Sequence, residues 1–339
     1  MKAFIPGIAI ITRPTRLTGL WRKWGTLGQA KFRMAQAQAL EAERRGGGQP
    51  LGRGKRRGGA PAPVATTQAD FADYEREDQV YQRVIDTLER ELQFGLPLKM
   101  VDRSFLPNFD FGLCSVAVVV GQDGLVANAA KYVGDLPIVA VNPDPERFDG
   151  ILLPFRPQQA RQAVQRVLDQ RFRARPVTLA ETLLNDGQRL LAFNDLFIGA
   201  ASHVSARYVL EAGGRSEPQS SSGIIVSTGA GSTGWLSSVF SMAAGVARFL
   251  DGDVAPPPTL AWEARRLAWA VREPFVSRQS QANLVAGWID EPQELIVESL
   301  MPEGGVIFSD GVEADFLPFT SGSIARVRVS PQRAKLVVG

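Results

Sequence analysis

The chain of 339 residues has one cysteine, one histidine and no apolar run long enough to cross a bilayer. A single thiol, Cys114, excludes an internal disulfide and fits a reducing cytosol. It lies beside the apolar run 115–120, where a buried, inert thiol is expected rather than a nucleophile. A lone histidine, His203, excludes a histidine cluster for zinc, and a structural or solvent-exposed position is expected for it. The apolar start, residues 1–11, is broken by Pro6, and nothing later approaches the ~20 apolar residues a membrane helix needs. Excess charge of one sign is also scarce: a net +3 argues neither for nor against an acidic partner. What is present, 45% apolar and 22% charged residues, is ordinary for a globular protein, and a cytoplasmic location is expected. The length allows two domains.

Residues 44–63 contain no acid and no aromatic, and are dominated by Gly, Pro, Arg and Lys. Such a segment cannot bury enough apolar surface to offset its ordering entropy, so a solvated basic linker is expected. Without stacking aromatics it is a poor nucleic-acid patch. Before it, residues 8–12 read as a strand and 24–43 as a helix; after it, Val80, Val84, Ile85, Leu88 and Leu92 mark one helix face. Strands at 96–101, 115–120 and 137–142, with a helix over 125–133, imply a parallel α/β sheet. After a helix over 158–172 the texture changes. Segments 177–184 and 188–198 are expected to pair around Asn185-Asp186-Gly187, and further extended stretches follow to the C-terminus. This half reads as strand-rich and antiparallel, with one helix over 235–249.

Two glycine-rich turns carry the chemistry. Gly121-Gln122-Asp123-Gly124 and Thr228-Gly229-Ala230-Gly231-Ser232-Thr233-Gly234 each follow a buried strand and open a helix, an arrangement that turns backbone N–H groups toward a phosphate. Asp123 falls at the carboxyl end of a parallel strand, where open α/β sheets bind ligands. It either holds magnesium on phosphates or accepts a proton from an attacking hydroxyl; a turn aspartate satisfying its own backbone is the competing reading. The second turn has Gly-x-Gly-x-x-Gly spacing, which invites a dinucleotide-dependent oxidoreductase. The acid expected ~20 residues onward, however, falls at Asp251 and Asp253, after a helix and with no strand. No lysine precedes Ser232-Thr233, which excludes a P-loop. Asn194-Asp195 interrupts an apolar run, as a bulge aiming both side chains at a ligand or as a strand end. Ser309-Asp310-Gly311 reads as a hairpin turn.

Taken in order, these pieces resemble the NAD kinase family, in the superfamily shared with diacylglycerol kinases. The family pattern is a Gly-Gly-Asp-Gly-Thr turn after an apolar strand, a strand into Val-Asn, an Asn-Glu pair, a Thr-Pro-Thr-Gly-Ser-Thr loop and a late Asp-Gly hairpin. Here the counterparts are Gly121-Gln122-Asp123-Gly124-Leu125, Val141-Asn142, Asn194-Asp195, Ser227 through Thr233, and Asp310-Gly311. The resemblance runs from about Val116 to the C-terminus. It implies an α/β protein with a Rossmann-like N-terminal domain over 1–153, a β-rich (β-sandwich) domain over 154–317, and a segment 318–339 returning to the first domain. It further implies ATP and magnesium acting with NAD, and phosphoryl transfer to the adenosine 2′-hydroxyl to give NADP. Asp123 would be the general base or a metal-associated carboxylate. Gly121, Gln122, Gly124, Ser232 and Thr233 would bind nucleotide phosphates, and Asn194, Asp195 and Thr228 the substrate. Small-molecule nucleotides are the expected partners, not membranes or nucleic acid, and a homodimer or homotetramer is expected.

The chain also departs from the pattern. Gln122 stands for a glycine, Leu125 for a threonine, Asp195 for a glutamate and Gly229-Ala230 for Pro-Thr, while Trp235 stands near the family's tyrosine. Two of these changes fall in the phosphate turn, and losing one positioned transition-state contact costs about 10²–10³ in rate. A nucleotide-binding protein without catalysis is therefore the alternative, ahead of the oxidoreductase.

Overall fold

The computed structural model describes residues 6–46, 71–252 and 255–339. The basic stretch expected as a linker lies outside the described residues except for 44–46. The chain forms two units, Arg13–Glu91 and the remainder.

The smaller unit is helical. Helix α1 (Arg16–Trp24) starts on Thr15, whose hydroxyl accepts from the Thr18 amide, and ends at Gly25 with φ 77°. Helices α2 (Leu27–Gly46) and α3 (Phe71–Glu91) follow. The helix expected over 24–43 is present as α2, shifted to begin at Leu27; α1 before it was not expected, and Gly25, in a left-handed conformation, separates the two. Leu17, Ala30 and Phe71 form the core of this unit. The buried Glu77 of α3 pairs with Arg13 and Arg16. Of the expected face Ile85 and Leu88 are buried and Val80 and Val84 half-buried, and Tyr81, which was not expected there, is buried with them.

In the larger unit, β1 (Gly7–Thr12), β2 (Leu98–Asp102), β3 (Cys114–Val120) and β4 (Pro137–Val141) form a parallel sheet in the order β2-β1-β3-β4. Val116, Ala117, Val118, Val119 and Val120 are all buried, the composition of a strand covered on both faces. Helix α4 (Asp123–Ala130) leaves β3, and α5 (Pro157–Leu168) follows β4.

The second half is antiparallel. Strands β5 (Arg173–Leu184) and β6 (Arg189–Ala192) pair across the expected turn, and β7 (Asp195–Ala200) then crosses to another sheet. Next come β8 (Ala206–Ala212), β9 (Arg215–Ser221), β10 (Ile224–Ser227), α6 (Trp235–Phe249), β11 (Arg266–Val271) and β12 (Ala286–Asp290). The chain ends with β13 (Glu294–Ser299), β14 (Gly305–Ser309), β15 (Val312–Pro318) and β16 (Ile324–Val338). One sheet has the order β12-β11-β10-β7-β14-β15. The other continues the parallel sheet, because the long β16 lies parallel to β4 and antiparallel to β5 and β13.

Alternate residues of both sheets meet in one core, including Leu196 and Ile198, Ile224 and Val226, Leu295 and Val297, and Ala325 and Val327. That period of two, facing inward from two sheets, is the packing of a β-sandwich. The fold is thus α/β, with a parallel sheet followed by an antiparallel β-rich half. Cys114 is buried, and burial pushes its thiol up, away from the reactive thiolate; His203 is exposed. Among the described residues no helix is long and apolar enough to cross a membrane.

Candidate functional site

The chain changes sheets at Phe193-Asn194-Asp195, between β6 and β7, and this corner is held from two sides. On one side is the hairpin turn joining β14 to β15, where Asp310 (φ 54°) and Gly311 (φ 69°) both take left-handed conformations. The buried Asp310 carboxylate accepts the amide N–H groups of Phe193 (3.0 Å), Asn194 (2.6 Å) and Asp195 (3.3 Å). Its own amide donates to the Asp195 carbonyl at 2.9 Å. On the other side, the Thr228 amide donates to the Asn194 carbonyl (2.9 Å) and the Thr228 hydroxyl to the Phe193 carbonyl (2.6 Å). Asn194-Asp195 is therefore a strand end and sheet crossover, the second of the two readings its sequence allowed.

The corner concentrates charge in a buried place. Lys131, just past the end of α4, donates to the Ser309 hydroxyl at 2.9 Å and lies 3.8 Å from the Asp315 carboxylate. Burial pushes its ammonium down from the usual lysine range, against the pull of Asp310 and Asp315. Burial likewise pushes the Asp310 carboxyl up, against Lys131 and the three amide donors. Asp195 is raised to about 7, chiefly by burial, with the Ser227 hydroxyl opposing and the Asp310 charge adding. One Asp195 carboxyl oxygen, Oδ1, is buried and has no hydrogen-bond partner. A carboxyl that changes charge near neutrality, with an oxygen still free, can accept or hold a proton. The Asn194 side chain is half-buried and makes no hydrogen bond among the described residues.

The first glycine turn lies at the other end of α4. Asp123 and Lys131 are separated by eight residues, about 12 Å along a helix. Gln122 is the N-cap of α4, with its carbonyl accepting from Leu125 and Val126. The Gly121 amide donates to the Val141 carbonyl at 3.3 Å, so that N–H belongs to the sheet. The Asp123 carboxylate accepts the amides of Ile151 (3.2 Å) and Leu152 (2.9 Å), tying down the loop after β4. A carboxylate has about four lone-pair positions, so two acceptances leave capacity for a ligand. Gly124 is exposed, and open space lies where a Cβ would point. Leu125 is buried and packs in the core.

The second glycine turn is packed against the protein itself. A Cβ on Gly229 would stand 2.0 Å from the Ala261 carbonyl oxygen, and one on Gly231 2.4 Å from the Asn194 carbonyl oxygen. Thr228 also accepts the amides of Ala230 and Gly231, and Ser232 donates to Gly229 and accepts from Leu260. Of the expected phosphate ligands here, Ser232 is buried with its hydroxyl engaged, while Thr233 is exposed. Among the described residues no hydrogen bond joins Asp123 to this turn. The turn follows β10, which lies antiparallel between β7 and β11. The Gly-x-Gly-x-x-Gly spacing is thus outside the parallel βαβ unit that a dinucleotide fingerprint requires.

Lys131, Ser309 and Asp315 were not legible as site residues. The available signal was that Lys131 is the only charge in the otherwise apolar run 125–133. No protein-family model matches the chain, and no curated protein matches it in sequence. In structure it is similar to yeast NADH kinase complexed with NADH, at 13% identity and a TM-score of 0.51, covering 99% of this chain and 84% of that one. An NAD kinase from Archaeoglobus fulgidus in complex with ATP aligns at 16% identity and a TM-score of 0.49, covering 75% and 88%. At such identities the relation is one of architecture: over nearly its whole length this chain has an NAD kinase-like fold.

Proposed function

We propose that this protein is a phosphotransferase of the NAD kinase type, using ATP and magnesium to phosphorylate a hydroxyl of NAD or a related small molecule. The observation that carries the reading is the fold shared with an NADH-bound NADH kinase across 99% of the chain. The Asn194-Asp195 corner supports it, with a half-buried amide and a carboxyl near pKa 7 on one short crossover.

Asp123 is assigned as the general base or metal-associated carboxylate. Its carboxylate has acceptor capacity left after binding two amides, and it stands beside an exposed glycine at the N-terminus of α4. Among the described residues no three acidic, cysteine or histidine side chains gather as a metal cage. Magnesium is assigned mainly to phosphate oxygens, with Asp123 as one ligand. Bound there, the ion would offset the repulsion between Asp123 and a polyphosphate and stabilise charge on the transferred group. Asn194, Asp195 and Thr228 are assigned to the substrate, Thr228 acting by fixing the corner. Gly121, Gln122, Gly124, Ser232 and Thr233 are assigned to the phosphates, with Gly124 and Thr233 the most accessible of them.

A second reading, nucleotide binding without transfer, is favoured by the first turn. The Gly121 N–H is committed to β4, Gln122 adds a side chain, and buried Leu125 offers no hydroxyl. We also propose a homodimer or homotetramer. Met242, Val246, Phe249 and Leu250 of α6 and its end form an exposed apolar stripe at helical spacing, which supports self-association. The deciding test combines the protein with ATP, magnesium and NAD, and couples NADP formation to an NADP-specific dehydrogenase. Magnesium-dependent NADP formation, increased in Gln122→Gly, is the expected result. NAD binding by calorimetry without turnover selects the second reading. Neither binding nor turnover with NAD, sugars or nucleosides rejects both.

A further inference from the structure

A cavity of about 260 Å³ lies where α5 ends and β5 begins, beside the last residues of β16. Arg166, Arg171 and Arg173 line it, together with Phe155, Phe172, Val337 and the main chain of Gly339, and no acidic side chain does. Gln170 takes a left-handed conformation (φ 56°), turning the chain back so that the Arg171 amide donates to the Arg166 carbonyl at 2.8 Å. That turn gathers three guanidinium groups, none of which has an ion pair or side-chain hydrogen bond among the described residues. Some other arginines of this unit find acids, as where Arg189 and Arg328 share Glu181, Arg265 takes Glu291 and Arg266 takes Asp290.

We propose that this cavity binds a phosphorylated small molecule, its phosphoryl group among Arg166, Arg171 and Arg173 and its planar or apolar part against Phe155 and Phe172. The guanidinium fork matches phosphate oxygens bidentately, and three such groups satisfy a dianion without bringing in a buried counter-charge. Phe172 also walls a neighbouring cavity of about 410 Å³ near Ser115 and Pro137, giving the rest of the ligand room. Ser115 and Pro137 lie at the amino ends of β3 and β4, the ends away from the Gly121 turn, so this site does not depend on the assignments made at Asp123.

The test is calorimetry on the full chain with inorganic phosphate and with AMP as probes, and with adenosine as the uncharged control. Phosphate and AMP are expected to bind saturably, with Arg171→Ala and Arg166→Ala each weakening that binding by about tenfold or more. Adenosine is expected to show no arginine-dependent binding, and NAD binding is expected to be unchanged in both variants. Because both side chains are exposed, circular dichroism should match the parent, and Arg171→Lys should fall between parent and alanine. Absence of phosphate and AMP binding, or equal binding in the parent and both alanine variants, overturns the proposal.

Discussion

Asp195 pairs a raised carboxyl pKa with a buried oxygen that nothing within the chain satisfies. Folding moves this group from 3.8 to about 7, so between those values the native chain holds the proton more tightly than the unfolded one. Stability from this group is therefore full below about pH 3.8, declines as pH rises from there to about 7, and levels off above. Asp195→Asn removes the ionisation, and is expected to stabilise the protein at pH 8 by about 1–3 kcal/mol, with the advantage shrinking toward pH 4. Urea unfolding at pH 5 and pH 8 measures it; a variant less stable than the parent at pH 8 would contradict the assignment. Stability surrendered at a residue is a mark of function rather than of packing. The sequence pointed to Asp195 because two polar residues interrupt an apolar run. It could not give the raised pKa, which comes chiefly from burial in the folded chain, with Asp310, more than a hundred residues away, adding to it.

At the scale of elements, the corner between β6 and β7 depends on two turns that differ in how openly the sequence announces them. Asp310-Gly311 between two apolar runs is a local hairpin signal, and the hairpin is there. Its second task, gathering three amides of a crossing strand, has no local signature. Asp310→Ala leaves three amide donors without their acceptor and is expected to cost about 3–5 kcal/mol, with Asp310→Asn intermediate. The 228–234 turn shows the opposite case, a strong local pattern whose purpose differs from its usual one. Gly229 and Gly231 are required because other backbone lies where their Cβ atoms would be. Alanine at either position is expected to destabilise by about 2 kcal/mol or more, measured by denaturant midpoint at constant slope. A change below about 0.5 kcal/mol would mean that the turn has room to adjust, and the glycine spacing would regain its ligand-binding reading. Helix α1 was missed because Thr18 and Gly19 lower the helix propensity of a nine-residue segment, and Gly25 marks where a helix can stop, not that one precedes it.

For the whole molecule, the order of strand types was legible. Apolar runs alternating with helices gave the parallel sheet, and successive extended stretches, two of them paired around a turn at 185–187, gave the antiparallel half. The polar β9, carrying Ser, Pro and Gln, was not legible, because pairing with β8 rather than composition makes it a strand. Neither was the continuity of the two sheets through β16, since only tertiary pairing shows one strand serving both. The apolar stripe on α6 belongs to this scale. Phe249, 85% exposed, is expected to lie between copies of the chain. Phe249→Glu should lower the mass seen by light scattering while leaving monomer stability within about 0.5 kcal/mol. A parent protein that is monomeric at high micromolar concentration would remove the oligomer from the account.

The proposed transfer of phosphate to a nucleotide hydroxyl rests on the turn holding Asp123. Its most direct test is the initial rate of NADP formation from NAD, ATP and magnesium, compared between the parent and Asp123→Asn. A rate in the parent that chelation of magnesium abolishes is expected, with a fall of about 10³-fold or more in the variant. Equal rates in parent and variant, or no NADP from the parent under any magnesium concentration, would contradict it.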